Sequence, residues 1–348
     1  MHVVQIMAGA ARGGAEAFFE RLSAALPRYA GEAFRQSLIV REEPDRVGRL
    51  SAVGLAPETL PFGGTLDVRT PLALRGRLKA LAPDVVLTWM NRATGAVRPG
   101  PYVFAARLGG YYKLKYYKRC DHLIGNTPGI VTYLRENGWP EQRTHYLPNF
   151  ADASPGTPLD PAPIGTPPGT PVILALGRLH ENKAFDVLIA ALGDVPDAHL
   201  WLAGEGPLRP ALEAAALEGG VADRVRFLGW RRDIADLLAS ATVLACPSRH
   251  EPLGNVILEA WAHGVPVVAA ASDGPRHLIT PDDTGRLVPV DDAKALGEAL
   301  CEVLNAPAAA RAMADAGRLA YDATYSETAV AHAYLDFFKA VVRTKTSD

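Results

Sequence analysis

Two series of short apolar runs, each alternating with amphipathic stretches and separated by a proline-rich segment, constrain this chain most. In the first series the runs lie at 2–10, 35–40, 84–89, 102–108, 122–125 and 144–147, with helical periodicity at 15–26, 72–81 and 129–137. In the second they lie at 171–176, 199–203, 225–228, 242–245 and 265–269, with helical stretches at 185–192, 208–217, 234–240, 252–263 and 293–304. Continuous Val/Ile/Leu/Ala runs without polar alternation belong to strands buried on both faces, and alternation with helices makes the sheets parallel. Seven prolines fall within 151–171, where neither a strand ladder nor a helix interior can form. The expected architecture is therefore α/β, with two doubly wound domains at 1–150 and 171–325 joined by a semi-rigid linker at 151–170. A last segment, 326–348, contains a helical pattern over 327–345 in which Val330, Tyr334, Phe337, Phe338 and Val341 mark one face.

Composition narrows the partners. The net charge of -2 gives no general attraction to nucleic acid. Three cysteines, Cys120, Cys246 and Cys301, lie far apart in neither a disulfide framework nor zinc-ligand spacing, which fits a reducing cytoplasm. No positive stretch precedes the apolar run 2–10, so it reads as a first strand. No apolar run reaches the ~18 residues that a membrane-spanning helix needs, so contact with a membrane would be peripheral.

The densest chemistry lies at 251–268. Glu251 and Glu259 bracket Pro252, Leu253, Gly254, Asn255, Val256, Ile257 and Leu258. If Pro252 opens a helix, the two carboxylates stand about 12 Å apart. That is roughly the reach from the sugar to the ribose of a nucleotide-sugar, at a helical rise of ~1.5 Å per residue. The amides at the helix start would face a diphosphate between them. Upstream, the run 171–176 ends in Gly177-Arg178-Leu179-His180-Glu181-Asn182-Lys183, which places two cations on a loop leaving a parallel strand. Cations there could neutralise a departing diphosphate. Gly204-Glu205-Gly206-Pro207 reads equally as a tight turn or as a ligand contact. No Asp-x-Asp pair occurs, so there is no sequence signal for a metal-held diphosphate.

The 251–268 segment resembles the Glu-x7-Glu motif of retaining glycosyltransferases of family 4, which have the GT-B fold. The 177–184 loop resembles that family's Gly-Arg-Leu…Lys-Gly motif, with Ala184 in place of a frequent glycine. Gly204-Glu205-Gly206-Pro207, Gly13-Gly14-Ala15-Glu16 and Pro148-Asn149-Phe150 resemble further elements of the family. The resemblance implies two Rossmann-like domains facing a cleft, with the C-terminal helix crossing back to the first. It also implies a nucleotide-diphosphate-sugar donor and no metal or other cofactor. In this reading Arg178, Lys183 and Glu251 are catalytic. Gly14, Gly177, Gly204, Arg232, Leu253, Gly254, Asn255, Val256 and Glu259 hold the donor, with Trp230, Arg231 and Arg232 near the nucleobase.

The acceptor residues expected in the first domain are Glu16, Asn91, Arg107, Lys113 and Tyr116. Many family members carry a His after the strand equivalent to 102–108, where this chain has Arg107 and two glycines. Four tyrosines alternate with four cations over 111–119; on a helix these tips would suit lipid headgroups, a phosphorylated glycolipid or sugar rings. Packed tyrosines with snorkelling lysines fit the same pattern. The expected activity is sugar transfer to a glycan or glycolipid in lipopolysaccharide or envelope polysaccharide synthesis, in the cytoplasm or at the inner face of its membrane. The alternatives are an epimerase or phosphorylase on this fold, or a sugar- or lipid-binding relative without turnover.

Overall fold

The computed structural model describes residues 1–11, 13–64 and 67–347, with side chains as far as Thr344. Asp348, the last residue of the expected segment 326–348, lies outside the described residues. The chain divides into two units. The first comprises Met1–Asn149 with the C-terminal residues from Glu327, and the second Phe150–Ser326.

The first unit is built on a parallel sheet of β1 (His2–Met7), β2 (Arg35–Arg41), β3 (Glu58–Leu60), β4 (Val85–Trp89), β5 (Val103–Leu108), β6 (His122–Gly125) and β7 (Thr144–Tyr146), in the order β3-β2-β1-β4-β5-β6-β7. The second repeats this plan with β8 (Val172–Leu176), β9 (His199–Ala203), β10 (Val225–Gly229), β11 (Val243–Cys246), β12 (Val267–Ala270) and β13 (Arg286–Val288), in the order β10-β9-β8-β11-β12-β13. Strands β1, β4, β5, β8 and β9 are buried along their whole length, because helices cover both faces. In each sheet the winding reverses beside its first strand, between β1 and β4 and between β8 and β11. Doubly wound sheets bind ligands beyond the carboxyl ends of the strands at such a reversal. The three-residue edge strands β3 and β13 are too short to show in apolar periodicity.

The segment 151–170 departs from the expected linker. It lies against the second unit, where Ala151, Ala153, Leu159 and Ile164 join the core around Trp201 and Trp261. The Leu159 amide donates to Ser240 Oγ at 2.8 Å, and Trp201 Nε1 donates to Thr166 Oγ1 at 2.9 Å. The prolines exclude it from a ladder, but the apolar residues between them still find a core.

The helix Glu327–Ser347 belongs to the first unit, as expected. Val330, Tyr334, Phe338 and Val341 are buried, and the Phe337 ring packs on His122 of β6 and His145 of β7. Nδ1 of His122 and Nε2 of His145 are 3.0 Å apart, so the pair shares one hydrogen bond while both rings are neutral. Burial, then the charge of a protonated His122, pushes the pKa of His145 down to about 4. The unfolded chain, with an ordinary histidine, takes up the proton first as pH falls. The contribution of this group to stability is thus present above about pH 6.5 and is lost as pH falls toward 4. The melting midpoint should drop across that window, and His145→Phe should flatten the slope. An unchanged slope in the variant would assign the acid sensitivity to other groups.

Candidate active site

The site is built on the loops that leave β8 and β11, the strands flanking the reversal in the second sheet. Their pairing covers only Val243↔Ile173 and Leu244↔Leu174, so the strands part before their carboxyl ends. The β8 loop turns at Gly177 and Arg178 into a short 3₁₀ segment, Glu181–Lys183, which leads into the helix Phe185–Ala191. The β11 loop runs through Pro247, Ser248, Arg249 and His250 to Glu251.

These loops are fastened together. The His250 amide donates to the Asn182 carbonyl at 3.2 Å. The Arg249 guanidinium donates to both oxygens of Asp186 at 3.0 and 2.6 Å, to the Glu181 carbonyl at 2.9 Å, and to Asp291. Lys183 Nζ then donates directly to Glu251 Oε2. The other carboxylate oxygen of Glu251, Oε1, accepts the Gly254 amide at 3.2 Å. Burial would lower the pKa of Lys183, but the Glu251 carboxylate outweighs it, aided by Cys246 and Glu259, and holds the ammonium above its ordinary range. The Cys246 thiol, fully buried at the end of β11, is pushed up to about 11 by burial and then by Glu251.

The helix carrying Glu259 does not begin at Pro252. It spans Asn255–Ala262, and Gly254 before it is left-handed at φ 84°. Glu251 lies in the turn ahead of the helix, so the spacing of the two carboxylates is set by that turn rather than by helical rise. The change follows from Glu251 itself: its side chain takes the Gly254 amide and its carbonyl takes the Gly274 amide at 2.7 Å, which hold 251–254 off the helical path. The Gly254 amide therefore faces Glu251. Leu253 is buried and Glu259 half-buried, and Asn255 and Val256 form the first turn of the helix.

The other second-unit residues expected to hold a donor fall on neighbouring loops of the same sheet end. Arg178 is exposed on the β8 loop. Gly204, after β9, meets Gly177: a Cβ at 204 would run into the Gly177 carbonyl oxygen, and one at Gly206 into the backbone of Leu179. The Leu179 amide donates to the Glu205 carbonyl at 3.0 Å, and the Gly204 amide to Gly229 at 2.7 Å. The Gly-x-Gly-Pro turn therefore packs three strand-end loops together. Beyond β10, Trp230 is 56% exposed, and the Arg232 guanidinium lies 5.1 Å from the centre of its ring. Arg231 is instead held by Asp233, with one contact of 2.8 Å from Nε to Oδ1.

In the first unit the expected acceptor residues separate. Glu16 is buried in the helix Gly14–Tyr29, where its Oε1 accepts the Ala10 amide at 2.8 Å. Its carboxylate lies where a Cβ at Gly9 or Gly13 would sit, which explains both glycines. Gly14 is exposed at the first turn of that helix. Asn91, just beyond β4, accepts a hydrogen bond from the Tyr117 hydroxyl.

Arg107 departs from its expected acceptor role. It is 2% exposed and lies between Phe18 and Trp89, 4.7 Å from each ring. Nε donates to the Tyr334 hydroxyl at 2.9 Å, and the same guanidinium donates to Asn149. The 111–119 run is not a helix either. It is a loop with one 3₁₀ turn, Leu114–Tyr116, because Gly109 and Gly110 break the chain after β5 and Tyr117 and Cys120 turn into the core. Lys113, Lys115, Tyr116, Lys118 and Arg119 remain exposed there.

Sequence reasoning missed Arg249, Asp186 and Cys246. Arg249 stands two residues before Glu251 on the same loop, and that adjacency was the signal available. Among the described residues no group of three or more His, Cys, Asp or Glu is placed to hold a metal ion.

Residues 170–306, which include all of these second-unit loops, match the glycosyl transferases group 1 family. The chain is 34% identical over 328 residues to the lipopolysaccharide core biosynthesis glycosyltransferase LpsE of Rhizobium meliloti, covering 93% of this chain and 95% of that one. It is 34% identical over 263 residues to LpsD of the same organism, covering 75% and 76%. A solved structure of Anabaena HepE in complex with UDP and glucose has the same fold, with a TM-score of 0.79 at 20% identity over 97% of this chain and 99% of that one. With both parallel sheets in place and near-complete coverage of LpsE, the chain belongs to the glycosyl transferases group 1 family and is a glycosyltransferase.

Proposed function

We propose that the enzyme moves a sugar, with retention of anomeric configuration, from a nucleotide-diphosphate sugar to a glycan or glycolipid acceptor of lipopolysaccharide core synthesis. The observation that carries this reading is the Lys183–Glu251 pair at the β8/β11 reversal. Arg178 and Lys183 neutralise the diphosphate as the bond from the anomeric carbon to phosphate oxygen breaks. The acceptor oxygen forms its bond to that carbon from the same face, and its proton passes to the departing phosphate oxygen. No protein base is needed for that transfer, and the two cations supply the charge neutralisation without a metal.

Glu251 orients Lys183 and meets the sugar hydroxyls, while Glu259 takes the ribose. The exposed ring of Trp230, with Arg232 against it, offers the base a stacking face. The relatives LpsE and LpsD point to a lipopolysaccharide core acceptor. Among the described residues no helix is long and apolar enough to cross a membrane. In this reading the enzyme works in the cytoplasm and reaches its acceptor peripherally. The exposed cations and Tyr116 of the 111–119 loop are suited to an anionic headgroup layer.

Thermal shift against UDP-, GDP-, ADP- and TDP-sugars, beside Glu259→Ala, tests the donor site. One nucleotide class should raise the wild-type midpoint, and the variant should lose the effect. Absence of a shift with every donor would count against the reading. The coupling constant of the product's anomeric proton reads retention directly.

A further inference from the structure

We infer that the first unit carries a binding site for an anionic amphiphile, with a polar pocket for the charged group and a groove for its hydrocarbon. The inference deepens the proposed acceptor role of this unit and rests on it.

The polar pocket, of about 250 Å³, opens where the chain leaves β3 and β4. Its walls include the Gly63–Gly64 backbone, Thr70, and the guanidinium-bearing residues Arg92 and Arg98. Arg92 makes no hydrogen bond or ion pair among the described residues, and Arg98 donates only to the Gly95 carbonyl at 3.1 Å. The one carboxylate there, Asp67, is already answered. The Thr70 hydroxyl and amide, then the Gly63 and Arg69 amides, hold its pKa below the usual carboxylate range. The excess charge in the pocket is therefore positive.

Pro71 and Arg98 also line a second groove of about 510 Å³, which continues along the helix Arg69–Leu81. The nearly buried core residues Leu74, Leu78 and Tyr102 line it together with Pro71, Pro99 and Pro101, whose rings are rigid. Arg75 and Lys79 stand at its edge without ion-pair partners among the described residues. The helix carries no acidic residue in its sequence, and its one paired cation, Arg77, is bound to Glu58 at 2.6 Å. A pocket in which Arg92 is unpaired and Arg98 meets only a carbonyl, sharing Pro71 and Arg98 with a groove lined by further cations, matches a phosphate or carboxylate attached to hydrocarbon. A free sugar would leave the groove unfilled, and a neutral lipid would leave the guanidinium groups unanswered.

Isothermal titration of the full-length protein with monomeric dihexanoyl phosphatidic acid tests the site, with glycerol 3-phosphate and dihexanoyl phosphatidylcholine as the tailless and zwitterionic arms. The phosphatidic acid should bind at least tenfold more tightly than either. Arg92→Ala/Arg98→Ala and, separately, Arg75→Glu/Lys79→Glu should each weaken it about tenfold with unchanged melting midpoints, since all four side chains are exposed. Equal binding of glycerol 3-phosphate would overturn the groove, and equal binding of the phosphatidylcholine would overturn the charge requirement. Equal binding by both double variants would overturn the location. Nucleotide-sugar stabilisation of the wild-type protein is read in parallel. Its loss would sink the functional reading, whereas its presence beside any of these failures would overturn only this site.

Discussion

Lys183→Ala should reduce turnover by about a thousandfold, the scale seen when a preorganised group facing developing charge is removed. The ammonium is not a loose surface cation. It is fixed on Glu251 and carried by the loop where the sheet reverses. The loss should lie in kcat more than in KM, because the charge on the leaving group is greatest in the transition state. The fold should survive, since Glu251 keeps the Gly254 amide, although about 1–3 kcal/mol of stability should go with the unpaired carboxylate. Glu251→Gln sharpens the test. It leaves the volume and removes the counter-charge, so burial then acts on Lys183 with only weaker opposition and its pKa falls. Activity of that variant should decline with rising pH earlier than in the wild type. Turnover of Lys183→Ala within tenfold of wild type would remove this lysine from the chemistry.

What could be read from sequence divides along physical lines. The placement of the residues expected to hold a donor was legible because they lie in continuous stretches directly after buried strands, and a parallel strand that ends in Gly-Arg or leads to Glu-Pro already fixes which end of the sheet they occupy. The start of the helix before Glu259 was not legible. Pro252 is well suited to a first helical position, and only the tertiary contacts of Glu251 with Gly254 and Gly274 show that the chain turns instead. The 111–119 run failed for a related reason: regular alternation of Tyr and Lys looks amphipathic, but burial of Tyr117 and Cys120 decides its course. The Arg249 clamp joins residues that are distant in the chain, Asp186 and Asp291, and no local pattern could reveal it.

Arg107 is the sharpest case, because sequence and structure assign it opposite roles. In β5 it occupies a strand buried on both faces, so its side chain must enter the interior whichever way it points. There it lies between Phe18 and Trp89 and joins β5 to Asn149 and to Tyr334 of the C-terminal helix. Arg107→Met keeps much of the volume but removes the donor to the buried Tyr334 hydroxyl, at about 1–3 kcal/mol, together with the bond to Asn149. A loss of ~3 kcal/mol would lower the midpoint by roughly 6–12 °C, at about 2–4 °C per kcal/mol. Limited proteolysis should then cut near Glu327 sooner, because the helix has lost a buried tie. Lys in place of Arg should rescue little, since an ammonium cannot serve Tyr334 and Asn149 in the planar fork and stack between two rings. An acceptor-binding arginine would behave otherwise: the midpoint would hold and the acceptor KM would rise. Measuring both on one variant decides between an arginine that touches substrate and one that fastens the last helix to the first sheet.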